Sequence, residues 1–517
     1  MRFEKLKEKS FDTITLKRHE RESSFMRSSF VNVKNNILGK QYSLSIAYVS
    51  EKKSREINKK YRKKDKATNV LSFSLRKNEG EIILCPAVIK REAKNFEKTF
   101  RQFLGFLVIH GMLHLKGMKH SSKWKEKRKN MIRNISIGID VGSSTTRVVV
   151  GEFLKGEKNP KIIGVGETET RGLRHGYVVD SPSAIISVKN AVSMAEKTSG
   201  IKIKRAFISV GGISLRGEFG SGSVIISKAD GEVTNLDINK ALQDCEDNLN
   251  LSNKKIIQIF PVSFRLDGKE VLGRLEGMRG TKLEIKALFI TYSMQHLEDL
   301  IAVIAGAGVE TIDIIASPIA IGQIVLSEKQ KIVGVALVNI GSETVSLSVF
   351  ENGLPMSIHT FSIGSSDITN DIALGFKIPL EKAESFKQGN IEEDFSKKKL
   401  DEIIEARLSD IFELIENHLK KIKRSELLPA GIVFVGGGAG ILGLEEFSKF
   451  ALKLPSSIGT TEIFGNSKTK LRDSSWFTAL GLVILGRDNN GYSEGSFSNL
   501  FKDIKNTVKS SIKQLMP

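Results

Sequence analysis

Three of the chain's eight histidines, His110, His114 and His120, stand within the eleven residues HGMLHLKGMKH. Imidazoles four residues apart on a helix lie one above the other on the same face, so His110 and His114 can reach one ion. Gly117 then lets the chain turn and bring His120 round as a third nitrogen. Three protein nitrogens leave a fourth position open, which is the arrangement of a catalytic zinc that activates water. Gly111 occupies the place where the H-E-x-x-H pattern carries its general base, so a peptidase reading loses ground.

A second chemistry follows a lysine-rich connector. Ile135 to Ile139 reads as an apolar strand that delivers Asp140 to a turn, Gly142-Ser143-Ser144-Thr145, with Arg147 to Val150 as the returning strand. Small residues let backbone N–H groups approach phosphate oxygens, and an aspartate at a strand end can hold the water shell of a magnesium ion. One such match also fits an ordinary hairpin. Repetition gives it weight: Val335 to Ile340, then Gly341-Ser342-Glu343-Thr344, then Val345 to Phe350 repeat the strand, turn, strand plan. A third glycine turn, Gly436-Gly437-Gly438, ends another buried strand, Val433 to Val435, and precedes a helical segment from Leu444 to Leu452. Ser317 to Ala320 and Ala479 to Leu482 sit where helices would cross between two halves.

The elements that must position the histidines come earlier. After an irregular basic start, Tyr42 to Val49 alternates as a half-buried strand does, Glu51 to Tyr61 reads as a charged helix, and Val70 to Phe73 and Gly80 to Leu84 read as short strands. From Pro86 the pattern is helical, and the apolar run Phe103 to Ile109 predicts a central buried helix carrying His110 and His114 on its last turns.

Charge divides the chain at the same place as the chemistry. Met1 to Arg133 carries 34 Lys+Arg against 13 Asp+Glu, a net of +21, whereas the whole chain of 517 residues has +20 and the remainder therefore −1. A unit this basic attracts polyanions, RNA or DNA by default, because neutralising phosphates releases counterions. The chain is too long for one hydrophobic core. The reading is a unit at 1–133, a second at 134–490, and a tail at 491–517. Two distant cysteines, Cys85 and Cys245, no apolar leader and no run long enough to span a bilayer point to a reducing cytoplasm.

The tail opens with the linker-like NNGYSEGSFSN. Phe497, Leu500, Phe501, Ile504, Val508, Ile512 and Leu515 then recur at helical spacing, with Lys502, Lys505, Lys509 and Lys513 on the other face. A basic amphipathic helix of this kind lies in a membrane interface and gains from anionic lipid.

The histidine segment resembles the YbeY family of metal-dependent endoribonucleases in bacterial ribosomal RNA maturation, whose pattern runs close to H-G-x-L-H-L-x-G-Y-D-H. Tyr61 to Phe73, YRKKDKATNVLSF, is similar to that family's second signature and Gly80-Glu81-Ile82-Ile83 to its third. The resemblance implies an α+β metallohydrolase fold, zinc on His110, His114 and His120, and a basic groove for ribosomal RNA in which Arg62 matches the functional arginine. His114 then serves catalysis as well as the metal. Met118-Lys119 stands where the family has Tyr-Asp, replacing a carboxylate beside the third histidine with a cation.

From Ile135 onward the chain resembles the FtsA family of the actin-like ATPase superfamily, cell-division proteins that tether the FtsZ ring to the membrane. Arg171-Gly172-Leu173-Arg174-His175-Gly176, Val210-Gly211-Gly212, Gly277-Met278-Arg279-Gly280 and Ile368-Thr369-Asn370-Asp371-Ile372 carry the likeness. It implies an α/β actin-like fold with a small domain inserted from about Lys204 to about Ser293, and ATP with magnesium on two phosphate loops. The first is Asp140, Gly142, Ser143, Ser144 and Thr145, and the second is Asn339, Gly341, Ser342 and Thr344. Gly436, Gly437 and Gly438 form the adenosine loop, with Glu384 and Lys387 near the adenine and ribose. It also implies FtsZ and other division proteins as partners, self-association into polymers, and a peripheral place on the cytoplasmic face of the anionic inner membrane at the division site.

Here too there are departures. Asn339 stands where the second loop normally has aspartate, and Glu343 would bring a like charge towards phosphate. The expectation is ATP binding with slow or absent hydrolysis. The alternatives are a first unit that binds RNA without cutting it, a second that is a chaperone or sugar kinase of the same fold, and two adjacent reading frames joined at Met131, whose MIRNISIGIDVG would serve as an independent start.

Overall fold

The structure, a computed structural model, describes residues 14–17, 34–35, 37–39, 41–76, 78–95, 100–117, 134–154, 157, 159–271, 273–390, 392, 394–463 and 470–487. The chain divides into two compact units, Met1–Arg133 and Asn134–Pro517. His120, with Met118 and Lys119, and the expected terminal helix from Phe497 to Leu515 lie outside the described residues.

In the first unit, β1 (Ile14–Lys17), β2 (Ser43–Tyr48), β3 (Val70–Arg76) and β4 (Glu79–Leu84) form one sheet in the order β1-β2-β4-β3. The basic start reads as irregular, yet Ile14–Lys17 pairs in parallel with Leu44–Ala47. Four residues are too few for alternation to stand out, and the neighbouring strand supplies the pairing. Between β2 and β3 runs α1 (Glu51–Arg62), capped by Ser50, whose hydroxyl accepts the Lys53 N–H, and closed by Lys63 in the left-handed conformation with φ 57°.

Two more helices follow among the described residues, α2 (Pro86–Asn95) and α3 (Phe100–Leu115), with α3 against β3 and β4. Phe103, Leu104, Leu107, Met112 and Leu113 share a core with Leu44, Ile46, Val70, Ile82 and Leu84. Helix and sheet meet tightly at Gly111, where a β-carbon would lie 2.8 Å from Ile82 Cδ1. That contact accounts for glycine where the zinc-peptidase pattern has glutamate.

The second unit contains two five-stranded sheets with the same plan. The first begins with an antiparallel meander, β5 (Asn134–Val141), β6 (Thr145–Phe153) and β7 (Lys161–Glu169), followed by a short ribbon, β8 (Leu173–Arg174) and β9 (Tyr177–Val178), and by α4 (Ser181–Ser199). Next comes β10 (Arg205–Val210), parallel to β5. The inserted domain is expected from about Lys204, but β10 is a strand of the first sheet, as its almost wholly buried RAFISV requires. The inserted fold therefore starts after it, with β11 (Arg216–Ile225), α5 (Asn235–Asp247), β12 (Lys254–Leu266), β13 (Lys269–Glu270) and β14 (Lys282–Ser293) as an antiparallel sheet carrying one helix. The chain returns through α6 (Met294–Gly306) to β15 (Glu310–Ala316), giving the order β15-β10-β5-β6-β7.

After α7 (Ser317–Val325) and α8 (Glu328–Val333) the plan recurs. The meander is β16 (Val335–Ile340), β17 (Val345–Glu351) and β18 (Leu354–Phe361). Then come α9 (Ser365–Phe376), α10 (Leu380–Lys387), α11 (Lys397–Lys421), β19 (Ile432–Val435), α12 (Leu444–Leu452) and β20 (Ser456–Ile458), in the sheet order β18-β17-β16-β19-β20. The last helix among the described residues, α13 (Phe477–Leu485), packs on α7. The crossing is close enough that a β-carbon on Gly481 would lie 2.0 Å from the Ala320 carbonyl oxygen. Val149, Ile321, Val335, Leu337, Phe350, Val433, Phe477 and Leu480 form the core that joins the two sheets. Among the described residues no helix is long and apolar enough to cross a membrane.

Candidate functional site

On α3, His110 and His114 are half-buried, with their Nε2 atoms 3.2 Å apart and ring centroids 4.7 Å apart. The helix end thus converges two imidazole nitrogens on one point, as the four-residue spacing requires. A tetrahedral zinc with Zn–N of about 2.0–2.1 Å holds two such nitrogens about 3.3 Å apart, so the pair fits two of its corners. Among the described residues no cluster of three His, Cys, Asp or Glu could hold a metal, and the expected third ligand, His120, is not among them.

Arg62 is exposed at the end of α1, where a basic loop begins. Buried Ser54 and Asn58 staple that loop to the helix: Ser54 Oγ donates to the Thr68 carbonyl at 2.8 Å and accepts the Thr68 N–H at 3.0 Å, while Asn58 Nδ2 donates to the Lys66 carbonyl at 2.7 Å.

In the second unit the two hairpin turns close alike. Gly142 N–H donates to the Thr145 carbonyl at 3.2 Å, and Gly341 N–H donates to the Thr344 carbonyl at 2.9 Å. Asp140 lies in β5 before the first turn and accepts a 2.6 Å hydrogen bond from Ser209 Oγ of β10. Burial raises its carboxyl above the usual range, against the opposing pull of Ser209, Arg147 and Thr478.

Asn339 occupies the matching place in β16, beside Val435 of β19. A β-carbon on Gly436, whose φ is +90°, would lie 2.2 Å from Asn339 Oδ1, and one on Gly438 would lie 3.0 Å from Ser365 Cβ. Gly437 has open space where a side chain would stand, which suits a flat ligand against the backbone. The structure thus brings Asn339, the glycine turn and the start of α9 together.

From α10, the buried Lys387 donates to the Ser365 carbonyl at 3.1 Å and to Thr369 Oγ1 at 2.8 Å, and pairs with Glu384 at 2.7 Å. Thr369 Oγ1 in turn donates to Glu384 Oε2 at 2.7 Å. Burial opposes the Glu384 charge, but Lys387 and Thr369 win and hold its carboxyl below the usual range. Both predicted residues therefore lie beside the second loop and spend their polarity on each other and on α9.

Glu343 differs from expectation. Its carboxylate accepts the His175 N–H at 2.6 Å, and its carbonyl oxygen lies 3.1 Å from His175 Nδ1, so the charge is turned onto the Arg171 to Gly176 turn. On the other side Gly176 N–H donates to Ser143 Oγ at 3.0 Å, and Thr170 N–H donates to the Ser144 carbonyl at 2.9 Å. One short segment thus ties the first loop to the second. Ser365 and Ser366 N–H groups pin Gly341 and Ser342 through their carbonyls at 2.9 and 2.8 Å. Sequence reading missed Ser209, His175 and Ser365 as site residues; the one available signal was Gly364-Ser365-Ser366-Asp367 opening a helix.

Comparison with known proteins follows the same division. The family model "Endoribonuclease YbeY" matches residues 7–136, "SHS2 domain inserted in FTSA" matches 212–291, and "Cell division protein FtsA" matches 336–481. The chain is 28% identical over 369 residues to "Cell division protein FtsA" of Bacillus subtilis, covering 67% of this chain and 82% of that protein. It is 27% identical over 372 residues to the protein of the same name from Pseudomonas aeruginosa, covering 68% and 88%. Among solved structures, a chain of the "PilM-PilN type IV pilus biogenesis complex" shares the fold with a TM-score of 0.51 at 16% identity, over 68% of this chain and 98% of that one. The chain therefore joins a segment of the YbeY endoribonuclease family to a segment of the FtsA cell-division family, the latter on an actin-like fold.

Proposed function

We propose that the first unit is a zinc-dependent endoribonuclease acting on single-stranded ribosomal RNA in maturation and quality control. The observation that carries it is the 3.2 Å approach of two imidazole nitrogens in a unit of net charge +21. Zinc on His110, His114 and His120 would supply a nucleophile from water at neutral pH. The protein's own part is to hold the histidines on a buried helix, present Arg62 to phosphate, and draw RNA to a basic surface. Full chain purified without chelator should carry about one zinc and cut single-stranded RNA, and His114→Ala should lose both; undiminished cleavage by that variant refutes the reading.

For the second unit we infer an ATP-binding scaffold that polymerises, recruits FtsZ with other division proteins, and docks on the anionic inner membrane through Phe497 to Leu515. The duplicated hairpin supports it: Asp140 would hold the water shell of magnesium, and the turn N–H groups would face phosphates. Asn339 in the second hairpin points to binding with slow or absent turnover, because an amide supplies no charge for the attacking water. Deleting Phe497 to Pro517 should release the chain from anionic liposomes, and unchanged sedimentation with liposomes would overturn the tether.

A further inference from the structure

The last turn of α1 carries a surface feature that the metal and nucleotide readings leave unused. Tyr61 is 61% exposed at the end of an otherwise polar helix and meets half-buried Phe73 of β3 edge to face, with centroids 5.1 Å apart and planes at 64°. An edge-to-face contact takes up at most one face of one ring, and Tyr61 as a whole stays largely exposed with Lys60 Nζ over its ring. Leu75, 55% exposed, lies two residues further along β3, where the pairing with β4 is interrupted between Ser74 and Arg76.

Around the rings the charge is one-sided. Arg62, Lys63, Lys64 and Lys66 are exposed and make no ion pair among the described residues, and Lys60 Nζ lies 5.5 Å from the Tyr61 centroid. Asp65, the loop's acidic residue, is bridged by Arg55 at 2.7 Å and by Lys59 at 3.1 Å, so its charge is spent within the unit. The staples from Ser54 and Asn58 and the left-handed Lys63 hold the loop in one shape, so its cations are ordered before any ligand arrives. β3, which carries Phe73, packs on the helix that carries the histidines.

We propose that Tyr61 and Phe73 form a base-stacking platform for single-stranded RNA, with Arg62, Lys63, Lys64 and Lys66 holding the adjoining phosphates. Open aromatic faces next to a row of cations are what unpaired nucleotides need, since every base has a π-face and every linkage a charge. A duplex keeps its bases stacked on one another and gains only from the cations. A lipid surface is the poorer fit, because two rings and one leucine are far less apolar area than an interfacial helix buries. The proposal rests on the reading that the first unit takes RNA, but not on its cutting it.

The test uses the full chain with His114→Ala as background, so that the probe survives, and a fluorescein-labelled oligouridine titrated by anisotropy. Tyr61→Ala should weaken binding by roughly 5- to 100-fold, the range of one lost base stack, while binding to a duplex of equal length stays unchanged. Tyr61→Phe, which keeps the ring, should bind as the parent does. In Tyr61→Trp, the new indole should be quenched by oligouridine and not by inorganic polyphosphate or by vesicles of phosphatidylglycerol. Equal affinity of the Ala variant and its parent for oligouridine overturns the platform, as does an indole that responds to vesicles alone. RNA cleavage by the unsubstituted chain together with affinity indifferent to Tyr61 would sink the platform and leave the nuclease reading intact. Tyr61-dependent binding by a chain that never cuts RNA would do the reverse.

Discussion

The two hairpins of the second unit share a backbone and differ in charge. Each runs strand, turn, strand at the same place in a five-stranded sheet, and each closes with a glycine N–H on a threonine carbonyl. Asp140 sits before one turn with Ser209 donating to it; Asn339 sits before the other, against Gly436. In the first loop Ser143 accepts the Gly176 N–H, and in the second the carboxylate of Glu343 accepts the His175 N–H. Backbone geometry is what both sheets must repeat to pack, whereas the side chains at the turns are free to differ and find different partners, Ser209 and Gly176 in the first half and His175 in the second. The difference teaches that one backbone plan presents unequal chemistry at its two turns, an aspartate at the first and an amide at the second.

The largest effect should come from the glycine turn packed against the second hairpin. Gly436→Ala combines a φ of +90° with a β-carbon 2.2 Å from Asn339 Oδ1 and 2.5 Å from the Ile340 carbonyl. The backbone strain alone is about 1–3 kcal/mol, and the overlap adds to it. A drop in the thermal midpoint together with loss of ATP binding by calorimetry is expected; a variant that binds and melts normally would mean the turn does not support the second loop.

Next come the matched substitutions. Asp140→Ala removes a charged acceptor and should weaken ATP binding in magnesium by roughly 10- to 100-fold, whereas Asn339→Ala removes a neutral one and should cost roughly 2- to 10-fold. Equal losses would break the comparison. Asn339→Asp sharpens it from the other direction: if the missing charge limits turnover, phosphate release should rise by roughly a hundredfold, the lower end of what a positioned base contributes. No rise would place the limitation elsewhere.

Much of this arrangement was legible in the sequence because it is local. Glycine turns between apolar runs name the hairpins, and Val335 to Ile340 appears in the structure with the bounds the pattern gives. The histidine spacing likewise fixes a shared helix face. What was not legible joins distant segments. Glu343 looks like a repulsive charge next to phosphate until His175, 168 positions away, takes its carboxylate. The start of the inserted domain is misplaced for a similar reason: RAFISV reads as any buried strand, and only its pairing with β5 and β15 assigns it to the first sheet. Nor does the sequence show that the Lys387 side chain is held by Ser365, Thr369 and Glu384.

The smallest effect concerns the joint between the third strand of each sheet and the helix behind it, where the halves differ again. In the first half, Thr198 Oγ1 of α4 accepts the Val165 N–H of β7 at 3.0 Å and donates to its carbonyl at 3.0 Å, so nothing at that joint titrates near neutrality. In the second half, His418 of α11 shares a 2.8 Å hydrogen bond with Ser357 of β18 and stacks on His359 at 4.7 Å. Burial pushes both imidazoles down to about 4, helped at His359 by Arg216 and at His418 by Lys421. An unfolded histidine titrates near about 6.5, so between these values the unfolded chain binds protons that the folded one refuses. The stabilisation is therefore complete above about 6.5 and is lost progressively as pH falls towards 4. Carboxylates add their own dependence in the same range, so the readout is a difference: the thermal midpoint of the full chain should fall less between about pH 7 and about pH 5 in His359→Gln/His418→Gln than in the parent, while Thr198→Val leaves the slope unchanged. Parallel slopes for parent and double variant would show that the two imidazoles are not held neutral, and that the two joints do not differ in the way their side chains indicate.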